Sequence, residues 1–154
     1  MKKLQHHAIS AVLLEPKRGL RFDLDTWQSV ILVLREEKLL ATLYHLALET
    51  AVFEHYPEFA QRHLYSASIY ARRQSKQIFY EALLLQELLE KNGVTPIFLK
   101  GANYTLRSSR NSQGRICSDI DVLVKVEELD SCESLLLSQN WHSEKLTQYD
   151  EQYY

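Results

Sequence analysis

The segment Glu58–Lys91 contains neither glycine nor proline, and this long uninterrupted run most constrains what the chain can fold into. Its apolar residues recur at steps of three or four, apart from one step of seven, which is the spacing of one face of a helix. These residues are Ala67, Ala71, Ile78, Ala82, Leu85 and Leu89. Pro57 suits the first turn of a helix, and Asn92-Gly93 suits its C-terminal cap. The pattern therefore predicts one long amphipathic helix over residues 58–91.

Shorter helices are predicted before this segment. Ala8–Leu14 is a weak apolar run that favours a short helix. Asp25 is a suitable N-cap for a helix that begins at Thr26. Apolar residues then recur with helical spacing as far as Ala47, and the charged run 36–38 predicts a break into two helices.

Beyond residue 93 the pattern changes to that of alternating strands and helices. The predicted elements are a strand at Thr95–Leu99, a helix at Ala102–Arg107, a flexible polar loop at Ser108–Gly114, a strand at Asp119–Val126, a helix at Glu127–Gln139 and the start of a third strand at Trp141–Leu146. The predicted fold class is α+β, with a helical N-terminal half packed on a small mixed-sheet core of βαβαβ type. We call residues 1–93 the helical half and residues 94–154 the α/β half, and expect them to form one compact unit.

Composition and charge narrow the function classes. The chain has 154 residues, of which 45% are apolar and 25% charged, and its net charge is −2. This profile is typical of a globular domain, and the charge gives no electrostatic reason to expect a nucleic acid or a membrane as partner. No apolar run approaches the ~20 residues of a membrane-spanning helix. Cys117 and Cys132 lack C-x-x-C spacing, and no signal peptide opens the chain, so we expect reduced thiols and a cytoplasmic location.

The final segment, Tyr149–Tyr154, is aromatic and amphipathic and carries no cap, turn or charged tail. Such an ending is typical of an element cut in the middle, so we expect the chain to be an N-terminal fragment with an incomplete core. An unfinished sheet would leave an open strand edge, which predicts a homodimer or strand exchange at that edge.

Two aspartates, Asp119 and Asp121, lie one residue apart at the head of the second predicted strand. Successive side chains of a strand alternate between its faces, so both carboxylates are expected to point the same way. Two adjacent carboxylates repel each other, and a divalent cation bound by both relieves that repulsion. The pair therefore indicates metal-assisted phosphate chemistry. The alternative interpretation is a polar strand start with two solvated carboxylates at a sheet edge.

Three enzyme classes place an Asp-x-Asp pair on a strand, and the surrounding residues separate them. In haloacid-dehalogenase-type phosphatases the pair follows an apolar strand, whereas the preceding Arg115–Ser118 is mostly not apolar. In metal-dependent glycosyltransferases the pair ends a strand, whereas here the apolar run Val122–Val124 follows it. The nucleotidyltransferase arrangement remains, because upstream the strand Ile97–Leu99 runs into a Lys-Gly turn.

The motifs FLKGANYTL and GRICSDIDVLV resemble those of the nucleotidyltransferase superfamily, which includes polymerase-beta-like enzymes. The closest resemblance is to the group of uncharacterised nucleotidyltransferases, in which an apolar strand ends in Leu-Lys-Gly and an arginine precedes Asp-Ile-Asp. Its specific part covers Ile97–Val124, and the helical layout extends it over most of residues 26–146. The resemblance implies a Mg²⁺-dependent enzyme that transfers a nucleoside monophosphate from a nucleoside triphosphate to a hydroxyl acceptor and releases pyrophosphate.

The resemblance also implies roles for individual residues. Asp119 and Asp121 would hold one or two Mg²⁺ ions. The residues expected at the nucleotide are Lys100, Gly101, Ala102, Arg115 and Ser118. Gly101 would let the backbone approach the triphosphate, and the N–H groups at the following helix start would bind phosphate oxygens. For Lys100 and Arg115, a position in solvent without a nucleotide contact is the alternative.

Two departures from the superfamily pattern leave a second function open. Ala102 follows the turn glycine where a serine or glycine is usual, so no serine hydroxyl is available there. The superfamily also uses a third carboxylate on a later strand, and no acidic residue after Asp121 has a clear strand context for this role. The alternative function is a non-catalytic nucleotide-binding or protein-interaction module. For an active enzyme, we expect a small molecule or a protein as acceptor rather than a nucleic acid.

Overall fold

The structure, a computed structural model, describes residues 2–142. Its α-helices are α1 (Lys2–Leu14), α2 (Leu24–Glu36), α3 (Leu40–Glu49), α4 (Glu58–Lys91), α5 (Lys100–Leu106) and α6 (Leu129–Ser138). Its strands are β1 (Ile97–Phe98) and β2 (Val122–Leu123). Short 3₁₀ turns lie at Pro16–Arg21, Phe53–His55, Arg110–Ser112 and Val126–Glu128. None of the helices within residues 2–142 is long and apolar enough to cross a membrane.

The three N-terminal helices confirm the predicted pattern, but two predicted starts are wrong, because α1 begins at Lys2 rather than Ala8 and α2 at Leu24 rather than Thr26. The predicted N-cap was Asp25, whereas α2 begins at Leu24 and is capped by Asp23. The carboxylate of Asp23 accepts a hydrogen bond of 2.8 Å from the backbone N–H of Thr26. Asp25 lies inside the first turn, where its negative charge suits the helix dipole. The predicted break is confirmed, because Lys38 takes a left-handed conformation (φ 58°) between α2 and α3.

The helix α4 has the predicted bounds and contributes to two separate cores. It ends where Gly93 takes a φ of 79° and the N–H of Val94 donates to the carbonyl of Leu89 at 3.0 Å. Near the start of α4, Leu64 is buried among the N-terminal helices, whereas Leu85 near its end packs against the C-terminal elements. One continuous helix therefore supports both halves of the chain.

The first core, which we call the helical core, lies between α1, α2, α3 and the first half of α4. Its largest completely buried side chains include Trp27, Leu34, Leu43 and Leu64. The indole N–H of Trp27 donates to the carbonyl of Gly19 at 3.1 Å, and its ring packs edge-on against Tyr56 with 4.7 Å between centroids. The hydroxyl of Tyr56 in turn donates to the carbonyl of Pro16 at 2.7 Å. Buried polar groups in this core are thus paired, which avoids the cost of unsatisfied donors.

The second core, which we call the sheet core, lies between the second half of α4, the two strands, α5 and α6. Its buried residues are Ile78, Leu85, Leu89, Val94, Ala102, Cys117 and Cys132. Phe98, Ile120 and Val122 are partly buried and pack against them. The strands pair in antiparallel register, with Ile97 opposite Leu123 and Phe98 opposite Val122.

Both strands are shorter than predicted, and the two-stranded sheet of residues 2–142 does not show a complete βαβαβ core. The predicted strand Thr95–Leu99 reduces to β1 because the chain enters α5 at residue 100, two residues earlier than predicted. The predicted strand Asp119–Val126 reduces to β2, since a ladder continues only while a neighbouring strand pairs with it. Trp141 is not in a strand, and the rest of the predicted third strand, from 143 on, lies outside the described residues.

The predicted helix Glu127–Gln139 is confirmed in type, but its first turn is a 3₁₀ turn. Regular α-helix begins only at Leu129 and ends at Ser138. The side chain of Lys125, just before this turn, lies 3.3 Å from the carboxylate of Glu128. The helix packs its Cys132 side into the sheet core and thereby covers one face of the strands.

Candidate functional site

The backbone of the turn between β1 and α5 has an unusual conformation. Leu99 is extended (φ −113°, ψ 170°), and Lys100 then takes a left-handed conformation with a φ of 45° before the helix continues. A left-handed lysine carries a steric penalty, and such strained residues concentrate at ligand-binding sites. The ammonium nitrogen Nζ of Lys100 lies 3.2 Å from Oδ1 of Asp121. The turn therefore brings a cation to the acidic pair.

Gly101 and Ala102 are both buried at the start of α5. A Cβ on Gly101 would collide with the Sγ of Cys117, so close packing against that thiol requires glycine at this position. The methyl group of Ala102 is completely buried against Ile78 in the sheet core. Both residues are thus packed into the protein at the start of α5. The expected approach of a triphosphate to Gly101 stays a prediction.

The acidic pair lies in an extended segment that directly precedes β2. Ile120 and Val122 pack into the sheet core, so the alternation of an extended chain turns Asp119 and Asp121 to the opposite, outward face. The backbone N–H of Leu99 donates to the carbonyl of Asp121 at 2.9 Å, which ties the pair to the end of β1. Asp119 is exposed, and the side chain of Asp121 is 31% exposed. Both carboxylates are therefore accessible to a ligand, and that of Asp121 is adjacent to the β1–α5 turn.

Arg115 lies on the same side of the turn as the thiol of Cys117. Its Nε is 3.9 Å from the position that a Cβ on Gly101 would take. Its guanidinium carbon lies 5.5 Å from the centroid of the Tyr104 ring, a distance at which a cation and an aromatic face attract each other. Arg115 and Tyr104 both line an open cavity of about 670 Å³ between α3 and the segment after α5, which we call the Arg115 cavity. Arg115 thus lies in a concave surface next to the Lys-Gly turn.

Ser118 lies in a different cavity, of about 440 Å³, which we call the Ser118 cavity. Its lining residues are Leu34, Arg35, Lys38, Leu40, Ala41, His63, Ser66, Ala67, Tyr70, Gln74, Ile116 and Ser118. Most of them come from α2, α3 and α4 of the helical half. The structure thus places Lys100 at Asp121 and Arg115 beside Gly101, whereas Ser118, which directly precedes Asp119, lines a different cavity from Arg115.

A model of one protein family matches residues 23–154, and its description is uncharacterised nucleotidyltransferase. The chain belongs to this nucleotidyltransferase family. The match begins at Asp23, the N-cap of α2, so it includes most of the helical half together with the acidic pair. No curated protein and no solved structure matches the chain.

In this nucleotidyltransferase the segment between α5 and the acidic pair, predicted as a flexible polar loop, contains a 3₁₀ turn and contacts the helical half. Gly114 takes a φ of 70°, and a Cβ there would lie 2.5 Å from the backbone carbonyl of Ala41 in α3. The hydroxyl of Thr42 donates to the carbonyl of Gly114 at 3.5 Å, and Arg110 forms an ion pair with Glu49. The position of the acidic pair is therefore fixed from both sides, by β1 and by α3.

The donor set of the acidic pair is compatible with Mg²⁺. Magnesium prefers oxygen ligands and is usually held by one or two carboxylates, with waters and substrate phosphates completing its coordination. Asp119 and Asp121 supply two such carboxylates on an accessible face, and the ammonium of Lys100 already counters the charge of Asp121. Within the described part of the chain, no group of three histidine, cysteine or acidic residues could hold a metal ion.

The residues that sequence reasoning missed here are Cys117, Gly114 and Tyr104. Cys117 fits against Gly101 and donates from its Sγ to the carbonyl of Asp119 at 3.0 Å, so it shapes the backbone on both sides of the site. Its position two residues before Asp119 was the available signal. The contact of Gly114 with α3 joins residues more than seventy positions apart in the sequence, and no local sequence pattern predicts it.

Proposed function

We propose that this nucleotidyltransferase uses Mg²⁺ to transfer a nucleoside monophosphate from a nucleoside triphosphate to the hydroxyl of an acceptor. In this reaction the acceptor oxygen forms a bond to the α-phosphorus, and the bond from that phosphorus to the bridging oxygen breaks, so that pyrophosphate leaves. The hydroxyl proton passes to a base or to water. The observation that carries the proposal is the outward-facing pair Asp119 and Asp121 beside the Lys-Gly turn, in a chain of this family.

The residues of the site have separate roles in this proposal. Asp119 and Asp121 hold Mg²⁺, which when bound neutralises phosphate charge and lowers the barrier to displacement. Lys100 and Arg115 supply the positive charge that attracts the triphosphate to the turn, and Tyr104 offers an aromatic face beside it. Gly101, which has no side chain, and Ala102 form the turn that the triphosphate approaches. A cytoplasmic location, where nucleoside triphosphates are abundant, is part of the same proposal.

Calorimetric titration of the full chain with ATP, GTP, CTP and UTP, each with and without Mg²⁺, tests the binding part. The paired change Asp119→Asn and Asp121→Asn removes both charges with little change of shape. We expect it to weaken Mg²⁺-dependent nucleotide binding by about tenfold or more, because charged oxygen ligands are lost. Asp130→Asn, at an exposed position in α6, is the control and should bind the nucleotide as the unaltered chain does. Unchanged binding in the paired variant would show that the two carboxylates do not serve the metal.

A non-catalytic nucleotide-binding module is the second candidate function. It is favoured by the completely buried methyl group of Ala102, which leaves no hydroxyl at the turn. The two candidate functions differ in whether the bound nucleotide reacts and releases pyrophosphate. Release of pyrophosphate, measured in the presence of a mixture of hydroxyl-bearing small molecules, supports the enzyme. Tight Mg²⁺-dependent binding without pyrophosphate release supports the module.

A further inference from the structure

The Ser118 cavity lies next to the acidic pair, because Ser118 directly precedes Asp119 in the chain. Its volume of about 440 Å³ is within the range of small-molecule sites in proteins. It shares two lining residues, Lys38 and Ile116, with the Arg115 cavity. The two cavities therefore meet at Ile116, three residues before Asp119, and two neighbouring cavities are what a reaction between two substrates requires.

The charged residues that line the Ser118 cavity are cations. Arg35 and Lys38 line it, and none of the described residues around it is an aspartate or glutamate. The Nη2 of Arg35 lies 3.1 Å from Nδ1 of His63, and since a guanidinium only donates, that histidine nitrogen accepts and leaves the arginine charge uncompensated. None of the ion pairs among the described residues includes Arg35 or Lys38. The cavity is therefore complementary to an anionic group.

The rest of the lining of the Ser118 cavity is mainly apolar and carries a few polar side chains. Leu40, Ala41 and Ile116 line it on the side of α3 and the segment before the acidic pair. On the side of α4, the hydroxyl of Tyr70 accepts a hydrogen bond of 3.2 Å from Gln74, which leaves the phenolic hydrogen free to donate. This combination suits a ligand with an apolar body and one anionic end.

We propose that the Ser118 cavity binds the acceptor, a small hydroxyl-bearing molecule whose apolar body carries an anionic group. This inference rests on the proposed function and names the class of its second substrate. The nucleotide is assigned to the Lys-Gly turn and the acidic pair, with Arg115 and Tyr104 beside the turn. The anionic group of the acceptor contacts Arg35 and Lys38, and its hydroxyl end lies at Ser118, which directly precedes Asp119. A polynucleotide chain does not fit a cavity of this size.

The test uses the full chain without nucleotide and two probes of equal shape, 4-hydroxyphenylacetate and its neutral amide, 4-hydroxyphenylacetamide. Calorimetry should show binding of the carboxylate and binding of the amide that is weaker by about tenfold or more, because a charge-assisted hydrogen bond is lost. Arg35→Gln, at an exposed position, should weaken carboxylate binding by about tenfold. Arg62→Gln, an exposed arginine of α4 that pairs with Glu58, is the matched control and should leave binding unchanged.

A second variant tests whether the carboxylate binds in the Ser118 cavity, without changing the charge of the protein. Ser66 is exposed on the wall of the cavity, so Ser66→Trp should fill the space, block the carboxylate and leave the fold intact. Equal binding of the two probes, no binding of either, or an Arg35→Gln variant that binds like the unaltered chain would overturn the inference.

The same preparations should be titrated with ATP and Mg²⁺, so that the two proposals are judged separately. Failure of the nucleotide to bind while the carboxylate binds would overturn the proposed function and, with it, the assignment of this ligand as acceptor. Nucleotide binding with no carboxylate binding would overturn only the acceptor site.

Discussion

The helical core and the sheet core are both built on α4, but they differ in how completely they enclose their residues. In the helical core, Trp27, Leu34 and Leu64 have no exposed surface. In the sheet core the strands are two residues long, and their outward-facing Ile97 and Leu123 are 56% and 53% exposed. The candidate site lies on this second, more open part. The comparison indicates an enclosed helical half and, in the other half, an exposed strand surface next to the candidate site.

The largest loss of stability should come from leucine-to-alanine substitutions in α4, and it should differ between the two cores. Leu64→Ala removes a completely buried side chain from the helical core and should lower the free energy of unfolding by about 3–5 kcal/mol. Leu85→Ala, in the sheet core, should cost about 2–3 kcal/mol, because its surroundings are more open and can relax around the cavity. Urea denaturation followed by circular dichroism measures both. Equal losses, or a larger loss at Leu85, would contradict the difference between the two cores.

A smaller effect is expected where the two halves meet, at Gly114. Gly114→Ala should lower the free energy of unfolding by about 2–4 kcal/mol, because the new Cβ meets the backbone of Ala41 and the residue keeps a positive φ. Gly93→Ala is the matched control: it has a similar φ of 79°, but no atom lies within 4 Å of the new Cβ. It should cost only about 1–2 kcal/mol from backbone strain. If both variants lose the same stability, Gly114 is not docked on α3.

The smallest of the three effects should come from Gly101, within the sheet core. Gly101→Ala should lower the free energy of unfolding by about 1–3 kcal/mol, because its methyl group collides with the thiol of Cys117. Combining it with Cys117→Ala removes the sulfur and should recover part of the loss. Denaturation of the two single variants and the double variant forms a cycle that isolates this contact. Strictly additive losses would indicate that the two residues do not touch.

Local patterns in the sequence were sufficient to predict the helices. The regular apolar spacing and the absence of glycine and proline determine α4, and its bounds were predicted correctly from these features. The N-cap of α2 was predicted wrongly, because Asp23 and Asp25 are equally good capping residues by type. Only the backbone angles of Asp23, φ −73° and ψ 175°, select it. Such a choice depends on how the preceding turn enters the helix, which the local sequence does not specify.

Only part of the candidate site could be predicted from the sequence. The outward direction of the acidic pair follows from alternation with Ile120 and Val122, and this is a local property. By contrast, the ion pair of Arg110 with Glu49 joins residues that are 61 positions apart. Contacts of this kind arise when the two halves pack together, and no spacing rule encodes them. The roles of the site residues towards a nucleotide stay predictions.

The contact of Gly114 with α3 limits how this fold can be divided or recombined. The glycine fits against the backbone of Ala41 and Thr42 rather than against side chains, so a foreign helix would have to present its main chain in the same place. If the α/β half were excised, Gly114 would lose its contact with α3. The chain between Gly114 and Asp119 would then no longer be held in its present position. The smallest transplantable unit that keeps the acidic pair in place therefore begins before α3. A chimera designed by exchanging the helical half as a separate module should be expected to lose the site.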